Sequence, residues 1–385
     1  MKKSPILIRG LMCMFITLFL VVNFAWSAEE KPYKVGVSLE ITGAASFLGE
    51  PERNTLMMIE ERVNKEGGIN GHPLKLIIYD NATDSTKHVM ALKRLIEQDE
   101  VVAIIGPSTS GNTLAGIPIT DKAAVPSISL AASIKIVEPV KKWVFKTPKT
   151  DALNITKLLG HAKKMGFKKV AIIYSDSGYG VSGKEEFDKI APKMGFTIVA
   201  SETFGDKDTD MTAQLTKIKA SGAEAIIAYS ASPAGSIICK NHKQLGMKAR
   251  LYHSTGWASQ QYVDLAGDAA NGVLLSSGRL LVMDQIPYWS PYLPVLELYK
   301  TEYESKFKLK LNEFGGHAWD AMMMILKALE KVGPDKAKIR DEIENTKNFL
   351  GINGYFNYTP KDHNGLDLSS FVMIEVVNQK FKLIE

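Results

Sequence analysis

Residues 101–133 read VVAIIGPSTSGNTLAGIPITDKAAVPSISLAAS, which predicts a strand, a polar turn, a helix, a second strand and a second polar turn. The apolar runs 101–105 and 125–129 are typical of short strands buried on both faces of a parallel sheet. Gly106-Pro107 ends the first strand, and a helix is predicted to begin near Gly111. The stretch therefore predicts an α/β fold in which helices flank a parallel sheet.

Both polar turns lie where a predicted strand ends. Ser108, Thr109 and Ser110 follow the first strand, and the segment 130–133, Leu-Ala-Ala-Ser, follows the second. Ligands of parallel α/β sheets bind outside the carboxyl ends of strands, and a helix N-terminus there offers free N–H groups and a positive dipole end. Either turn alone is best interpreted as an ordinary helix cap. The adjacent pair predicts a site that holds a carboxylate without Lys or Arg.

The N-terminal segment 1–27 is predicted to be a secretory signal peptide. A basic start precedes the apolar run 11–25, and Ala25-Trp26-Ser27 has the small-x-small pattern of a cleavage site. The apolar run is short for a membrane-spanning helix. We expect cleavage after Ser27, with Ala28 as the alternative, and export of the mature chain.

Charge and cysteine content exclude some classes of function. Removing residues 1–27 removes Lys2, Lys3 and Arg9 and no acid, so the formal net charge falls from +5 to +2. A nearly balanced chain argues against nucleic-acid binding. Only Cys239 remains after the leader is removed, so an intramolecular disulfide is excluded.

Beyond the leader, two series of alternating strands and helices follow each other, which predicts two similar α/β lobes facing across a cleft. The first series begins at Tyr33 and the second at Lys169, and the crossover 143–151 separates them. The tail 370–377 alternates apolar and polar residues, which predicts antiparallel strands joined by an Asn378-Gln379 turn.

The chain lacks the common catalytic and metal-binding motifs. It contains no HExxH, CxxC, Walker or GxSxG sequence, and none of its seven histidines has a partner at metal-ligand spacing. We therefore predict a binding protein without enzymatic activity, metal or cofactor. A hydrolase with Ser110 as nucleophile is the alternative, and it requires a histidine partner. Isolated histidines are predicted to be surface or packing residues, except His253, which ends a strand on the inferred cleft side.

Six groups of short motifs occur in a fixed order along the mature chain. They are Val35-Gly36-Val37 with Thr42-Gly43, the run 64–71 (NKEGGING), Tyr79-Asp80-Asn81, Gly106-Pro107 with Ser110-Gly111, Asp176 with Tyr179-Gly180, and the run 265–273 (LAGDAANGV). With this order and spacing, the chain resembles the periplasmic substrate-binding proteins of branched-chain amino acid (leucine/isoleucine/valine) ABC transporters, over nearly its whole mature length.

The resemblance implies the type I periplasmic-binding-protein fold, in which two doubly wound α/β lobes are joined by a three-segment hinge and close on ligand. It implies a lobe one of 32–147 plus 280–350 and a lobe two of 148–279 plus 351–385. The crossings are expected near Pro148, Gly278-Arg279 and Gly351. It also implies a monomer that delivers its ligand to the permease subunits of an ABC transporter.

The resemblance assigns roles to individual residues. Ser110 and Ser133 correspond to the hydroxyl residues that hold the ligand carboxylate, and Ser108 and Ala131 supply neighbouring backbone. Tyr179 corresponds to an aromatic wall residue of lobe two. An apolar wall residue of lobe one corresponds to Phe314.

Three positions depart from the family pattern. Leu48 replaces an aromatic residue, Ala231 replaces a tyrosine, and Thr255 replaces the acid that binds the ligand's ammonium. A buried ammonium without a carboxylate partner is costly, and the smaller Leu48 and Ala231 enlarge the predicted pocket.

Two ligand hypotheses follow from the loss of the acid. One is an aliphatic amino acid, with Glu40, Asp176 or another acid as the new partner of its ammonium. The other is a carboxylic acid without an amine, seated by Ser110 and Ser133, and an aromatic acid is one form of this hypothesis because some members of the wider family are similar in binding aromatic acids. In that case His253 or Trp257 closes the far end. A ligand sensor serving a separate receptor is the alternative of another class.

Overall fold

The computed structural model describes residues 30–205 and 207–385. The predicted leader and its cleavage site lie outside the described residues. The elements of the first series are β1 (Tyr33–Leu39), α1 (Ser46–Lys65), β2 (Leu74–Asp80), α2 (Ser85–Glu97), β3 (Ala103–Ile105), α3 (Ser110–Lys122), β4 (Ser127–Ser129) and β5 (Val144–Lys146).

The second series and the tail complete the described chain. Their elements are α4 (Asp151–Lys164), β6 (Lys169–Ser175), α5 (Gly178–Lys193), β7 (Thr197–Phe204), α6 (Thr212–Ala220), β8 (Ala225–Tyr229), α7 (Ala234–Gln244), β9 (Arg250–His253), α8 (Gln260–Ala266), β10 (Leu274–Ser277), α9 (Leu293–Phe307), α10 (Glu313–Val332), α11 (Lys336–Glu344), β11 (Phe349–Leu350), β12 (Tyr355–Phe356), β13 (Val372–Val377) and β14 (Lys380–Leu383).

The first lobe is built on a five-stranded parallel sheet in the order β2-β1-β3-β4-β5. All three residues of β3 are fully buried, as expected for a strand covered by helices on both faces. One face packs against α1, α9 and α10, and the other packs against α2 and α3. The strand ends after β3 and β4 are therefore neighbours, as the sequence predicted.

The second lobe is built on a seven-stranded sheet in the order β14-β13-β10-β9-β8-β6-β7. Strands β6 to β10 pair in parallel, whereas β13 pairs antiparallel with both β10 and β14. The turn between β13 and β14 is Asn378-Gln379, and both residues have positive φ. The predicted hairpin is confirmed, and the two doubly wound lobes are the predicted fold class.

The third connection between the sheets lies later in the chain than expected. Ile352, Phe356, Tyr358 and Leu366 all pack in the hydrophobic core of the first lobe. The segment after Gly351 was expected in lobe two, but its apolar side chains are buried against the first sheet. The chain joins the second sheet only at β13, so the crossing near Gly351 was placed too early.

Helix α10 contacts the first two connections between the sheets and the segment that follows Gly351. Thr147 Oγ1 donates to the carbonyl of His317 at 2.9 Å, and Ser277 Oγ donates to Glu313 Oε1 at 2.8 Å. The backbone N–H groups of Ile352 and Asn353 donate to the two oxygens of Asp320 at 2.7 and 2.9 Å. The amino-terminal half of this helix therefore forms the centre of the hinge.

Within residues 30–205 and 207–385, no helix combines the length and the apolar character needed to cross a lipid bilayer.

Candidate functional site

A cavity of about 290 Å³ lies between the two lobes, where loops at the carboxyl ends of the strands meet. Its walls combine apolar side chains with small hydroxyl residues. From the first lobe and the first connection, the lining includes Phe47, Leu48, Thr83, Ser108, Thr109, Ser110, Gly111, Pro148, Lys149, Phe314 and His317. From the second lobe, it includes Ser177, Gly178, Tyr179, Lys207, Ala231, Ser232 and Thr255. This is the cleft that the two strand–helix series predicted.

The turn after β3 is held by a buried carboxylate beneath it. Glu40 is fully buried and accepts hydrogen bonds from Ser108 N at 2.7 Å, Thr109 Oγ1 at 2.8 Å and Asn112 Nδ2 at 2.7 Å. Three donors satisfy the side chain within its own lobe. Glu40 therefore shapes the turn, and it lies behind the cavity wall rather than facing a ligand ammonium.

A second buried acid contacts the same turn. The hydroxyl of Ser108 donates to Glu52, which is 1% exposed. Burial raises the pKa of Glu52 well above its usual range, which favours the protonated form. The backbone N–H of Ser108 is bonded to Glu40, so Ser108 lines the cavity but does not offer the backbone donor that was expected of it.

Ser110 lies at the first position of α3 and lines the cavity. Its Oγ accepts a hydrogen bond from the backbone N–H of Ser133 at 3.3 Å. The structure thus brings the two predicted hydroxyl turns together. Ser110 faces the cleft, whereas Ser133 is fully buried and is absent from the described cavity lining.

The hydroxyl of Ser133 is engaged across the cleft. Ser133 Oγ and Ser182 Oγ of α5 are 2.6 Å apart. Lys135 Nζ contacts Glu185 Oε1 of the same helix at 2.7 Å. Ala131, expected to supply backbone, donates its N–H to Ser129 Oγ at 3.1 Å. The turn after β4 therefore contacts the second lobe and does not line the cavity through Ser133 or Ala131.

The N-termini of α3 and α5 face each other across the cleft. A Cβ added to Gly178 would lie only 3.1 Å from the backbone nitrogen of Gly111. This contact would be tighter than most Cβ contacts in proteins, so the absence of a side chain at Gly178 favours the close approach of the two helices. The positive ends of two helices converge on the cavity, an arrangement that favours an anion.

The second-lobe wall contains an aromatic residue at the predicted position. Tyr179 lines the cavity, and its ring centroid is 4.6 Å from that of Tyr229, which lies behind it. Burial raises the pKa of Tyr179 to about 12, so the phenol remains neutral. Ala231 also lines the cavity, and its small side chain leaves space beside Tyr179.

The first-lobe wall contains an aromatic residue one position earlier than the family pattern. Phe47 lines the cavity beside Leu48. Its ring makes edge contacts with Phe314 at 5.9 Å and with Tyr262 of the second lobe at 5.6 Å between centroids. Leu48 and Phe314 line the cavity as predicted, but the expected loss of the aromatic wall at Leu48 is offset by Phe47.

Thr255, which the resemblance placed at the position of an ammonium-binding acid, lines the cavity. Its Oγ1 donates to Glu313 Oε2 at 3.1 Å. Glu313 is 3% exposed and is not among the described lining residues. Its other oxygen accepts from Ser277 at 2.8 Å. Glu313 is therefore a hinge acid behind Thr255, and Asp176, the other acid considered, is exposed outside the cavity.

His253 and Trp257 lie in the core of the second lobe, contrary to the expectation that they close the cavity. Both are fully buried, and their rings stack at 4.5 Å. His253 Nε2 lies 3.4 Å from Cys239 Sγ of α7. Burial lowers the pKa of His253 to about 3, so the ring is neutral. Although His253 ends a strand, its side chain points to the face that α7 covers.

Two polar lining residues, Lys149 and His317, were not anticipated as site residues. Lys149 follows Pro148 in the first connection, and His317 lies in the first turns of α10. The sequence signal for Lys149 was its position inside the predicted crossover 143–151 between the two lobes. The helical pattern gave no signal for His317, because only the packing of α10 at the hinge brings its side chain to the cavity.

The charge of the cavity lining is positive. Among its described residues Lys149 and Lys207 are basic and none is acidic. Burial, with smaller effects from Lys149 and Lys146, keeps the pKa of His317 well below its usual range, so its ring is neutral. The cavity thus offers cations, hydroxyl groups and aromatic walls, and it offers no carboxylate for an ammonium group.

Comparison with known proteins agrees with this architecture. Residues 32–378 match the model of a family described as "Periplasmic binding protein". A "Leucine-, isoleucine-, valine-, threonine-, and alanine-binding protein" of Pseudomonas aeruginosa is 24% identical over 348 residues, which are 89% of each chain. The resemblance to the branched-chain amino acid type is confirmed at this level.

Solved structures give the same fold. An extracellular ligand-binding receptor from Rhodopseudomonas palustris HaA2 superposes with a TM-score of 0.86 and 26% identity, and covers 92% of this chain and all of its own. The branched-chain amino acid transporter substrate-binding protein LivJ of Streptococcus pneumoniae, in complex with isoleucine, gives a TM-score of 0.79 at 23% identity, over 92% of this chain and 99% of its own.

Proposed function

Because this chain belongs to the periplasmic binding protein family, we propose that it is the exported solute-binding component of an ABC importer. In this role it captures a small carboxylic acid in the cleft between its lobes and delivers it to a membrane permease. The family membership supports solute binding in general. The cavity, with its convergent helix ends and hydroxyl groups, supports an anionic solute in particular.

The proposed ligand is a carboxylic acid that lacks an amine and has an apolar, preferably aromatic, body. The observation that carries this proposal is the absence of any acid among the described lining residues, while Lys149 and Lys207 are present. Burying an ammonium group without a carboxylate partner costs several kcal/mol. An amino acid ligand would leave its ammonium in that position.

The proposed capture proceeds without chemistry. Ser110 and the amino-terminal backbone of α3 hold the carboxylate in the first lobe. Phe47 and Phe314 provide one apolar wall, and Tyr179 provides the other as the second lobe closes. Contacts such as Ser133–Ser182 then join the lobes in the closed form. The boundaries proposed for the lobes are near 32–147 plus 280–366 and 148–279 plus 367–385.

A thermal-shift panel on mature protein tests the ligand class. The protein is first unfolded and refolded to remove any retained ligand, and then mixed with leucine, valine, benzoate and 4-methyl-2-oxopentanoate. A ligand at 100 times its Kd stabilises the folded state by about 2.7 kcal/mol. We expect stabilisation by acids without an amine only. A shift with leucine or valine and none with the other acids would contradict the proposal.

A further inference from the structure

The second lobe has an end that faces away from the cavity and has no role in the proposed capture. Strands β6 to β9 pair in parallel, so the loops that precede them lie at one end of the sheet, opposite the cavity at the carboxyl ends. These loops are 165–168, 194–196, 221–224 and 245–249. We call the surface that they form the basal face of the second lobe.

Hydrogen bonds join the loops of the basal face to one another. The bonds that join them are Lys168 N to Glu224 Oε2 (2.6 Å), Lys169 N to Glu224 Oε2 (2.9 Å), Lys163 Nζ to Met194 O (3.0 Å) and Lys219 Nζ to Leu245 O (2.6 Å). The first two connect the loop before β6 to the loop before β8, and the others connect helix ends to the loops before β7 and β9. The charges on these loops therefore form one patch.

Lysine provides most of the charge of the basal face. The exposed lysines in these loops or beside them are Lys163, Lys168, Lys169, Lys193, Lys219 and Lys248. Among the described residues, no carboxylate lies within the 4.0 Å of an ion pair with any of them. The acid within the loops is Glu224, and its hydrogen bonds from backbone N–H groups lower its pKa, so it stays ionised. One acid among these lysines leaves the basal face positive.

Helix ends account for part of this positive charge. Helices α4 to α7 end at the basal face, and each carboxyl end carries about half a negative charge, which a lysine in the last turn offsets. Lys163 and Lys193 are in such positions. Lys168, Lys169 and Lys248 lie beyond the helix ends, where helix stabilisation does not require them. The positive charge of the basal face therefore exceeds what the helices need.

The loops before β2 and β3 in the first lobe have the opposite charge. Residues 66–73 precede β2 and residues 98–102 precede β3. These loops contain Glu66, Asp99 and Glu100, and they contain neither lysine nor arginine. The acids weaken any attraction of the first lobe to a negatively charged surface, so such a surface attracts the basal face of the second lobe instead.

The kind of charge indicates an extended anionic partner. Lysine is a strongly hydrated point charge, whereas arginine is favoured where one phosphate is bound through two hydrogen bonds. The four basal loops contain lysine and no arginine. Met165, between the lysine pairs 163–164 and 168–169, is 57% exposed and presents an apolar side chain. A bilayer with anionic headgroups matches both features, because diffuse negative charge lies above an apolar layer.

We propose that the basal face of the second lobe associates reversibly with the surface of a bilayer that contains anionic lipids. The cavity lies at the opposite end of the sheet, so its opening and closure stay free while the second lobe is held at the surface. The proposal goes beyond the proposed function, because it concerns where capture occurs and holds for any solute. It adds a membrane-bound population of the protein near its proposed permease.

Vesicle flotation of the mature protein tests the association. The vesicles contain equal parts of phosphatidylglycerol and phosphatidylcholine, and the reference vesicles contain phosphatidylcholine alone. We expect binding to the anionic vesicles only. Binding should weaken as salt is raised from about 0.1 M to about 1 M, because the Debye length falls from about 10 Å to about 3 Å. The assay contains no solute, so its result is independent of the proposed ligand class.

The double variant Lys168→Gln/Lys169→Gln removes two basal charges. A lysine near an anionic bilayer is worth about a five-fold change in partition coefficient, so the double variant should bind about 30-fold more weakly. The matched control is Lys87→Gln/Lys93→Gln, which removes two exposed lysines from α2 of the first lobe and should bind like the parent. A second control, Lys207→Gln, removes an exposed lysine of the cavity lining and should also bind like the parent.

Several outcomes overturn the proposal. Absence of binding to the anionic vesicles at low salt would do so while leaving the proposed function intact. Equal weakening in the first-lobe control would show that overall charge, and not the basal face, determines binding. A loss in Lys207→Gln as large as that of a single basal substitution would show that the cleft side meets the bilayer. Binding that is insensitive to salt would exclude the lysines as its cause.

Discussion

Thr255 Oγ1 donates a hydrogen bond to Glu313 Oε2 at 3.1 Å, and this bond joins the second lobe to the amino-terminal end of α10. The resemblance placed Thr255 at the position of an ammonium-binding acid. Among the described residues, the acid to which Thr255 donates is Glu313 of the hinge, which is bonded on both oxygens. The threonine therefore contributes to closure rather than to recognition of an amine.

Replacing Thr255 by valine removes this bond while keeping the shape of the side chain. We expect ligand affinity to fall by about 1–3 kcal/mol, the value of a hydrogen bond to a carboxylate, because the proposed closed form loses a contact between the lobes. Titration calorimetry measures the loss. Thr255→Ser retains the hydroxyl and should bind like the parent; equal losses in both variants would contradict this explanation.

Replacing Ser110 by alanine removes the hydroxyl that faces the cavity. We expect binding of a carboxylic acid to weaken by about 1–3 kcal/mol, the cost of a hydrogen bond to a charged group. Thr113→Ala on the same helix is a suitable control, because its hydroxyl bonds Ser129 within the first lobe. Unchanged affinity in Ser110→Ala would remove this residue from the proposed site.

Ser133 and Ser182 should act as a pair. Each single alanine variant loses the contact between their hydroxyl groups, so we expect the double variant to bind ligand no more weakly than either single one. A double-mutant cycle on ligand affinity measures the coupling. Fully additive losses would indicate that Ser133 contacts the ligand directly, as the sequence had suggested.

Phe47 is expected to determine selectivity for aromatic ligands. Phe47→Ala opens the wall between Phe314 and Tyr262 and removes an edge-on aromatic contact, which is worth about 0.5–1.5 kcal/mol beyond the buried area. The affinity for benzoate should fall by more than the affinity for an aliphatic acid of similar size. Competition binding with both acids tests this, and an equal loss for both would count against an aromatic subsite at Phe47.

His253 is expected to affect the pH dependence of stability and not ligand binding. Its pKa is about 3 in the folded protein against 6.5 as the ordinary value. Between these pH values the unfolded chain binds a proton at His253 that the folded protein does not bind. The contribution of His253 to the free energy of unfolding is therefore fully present above pH 6.5 and is lost as the pH falls. Between pH 7 and about pH 4.5 this single residue should cost about 2–3 kcal/mol.

The variant His253→Gln should lose correspondingly less stability over the same pH range, as measured by denaturant unfolding. The other titrating groups are common to both proteins and cancel in the difference. Its ligand affinity should match that of the parent at pH 7. A large loss of affinity in a well-folded variant would restore the binding role that the sequence suggested for His253.

Local sequence was sufficient for most of the fold. The predicted strands 101–105 and 125–129 contain β3 and β4, because short apolar runs between turns leave few alternatives. The hairpin turn at Asn378-Gln379 follows from the same kind of local signal. The third connection was misplaced because the burial of Tyr358 and Leu366 depends on a sheet more than 200 residues earlier in the chain.

The site was predicted less completely, because its details depend on contacts between distant segments. Strand alternation alone does not say which face α7 covers, so the orientation of His253 was missed. Glu40 and Ser108 are 68 positions apart, and no local pattern relates them. Lys149 was overlooked because two hydroxyl turns were a sufficient explanation for an anion site.

Glu40 and Glu52 hold Ser108 in place from within the first lobe, so the turn proposed to receive the carboxylate has its geometry before a solute arrives. The turn loses its conformational entropy when the protein folds, so ligand binding does not incur that entropic cost again. Association should therefore be a fast collision with a rigid surface, followed by a slower first-order closure. In stopped-flow experiments the observed rate constant of binding should then reach a plateau at high solute concentration. Substitutions at the lobe-to-lobe contacts should change this plateau, and substitutions in the turn after β3 should not.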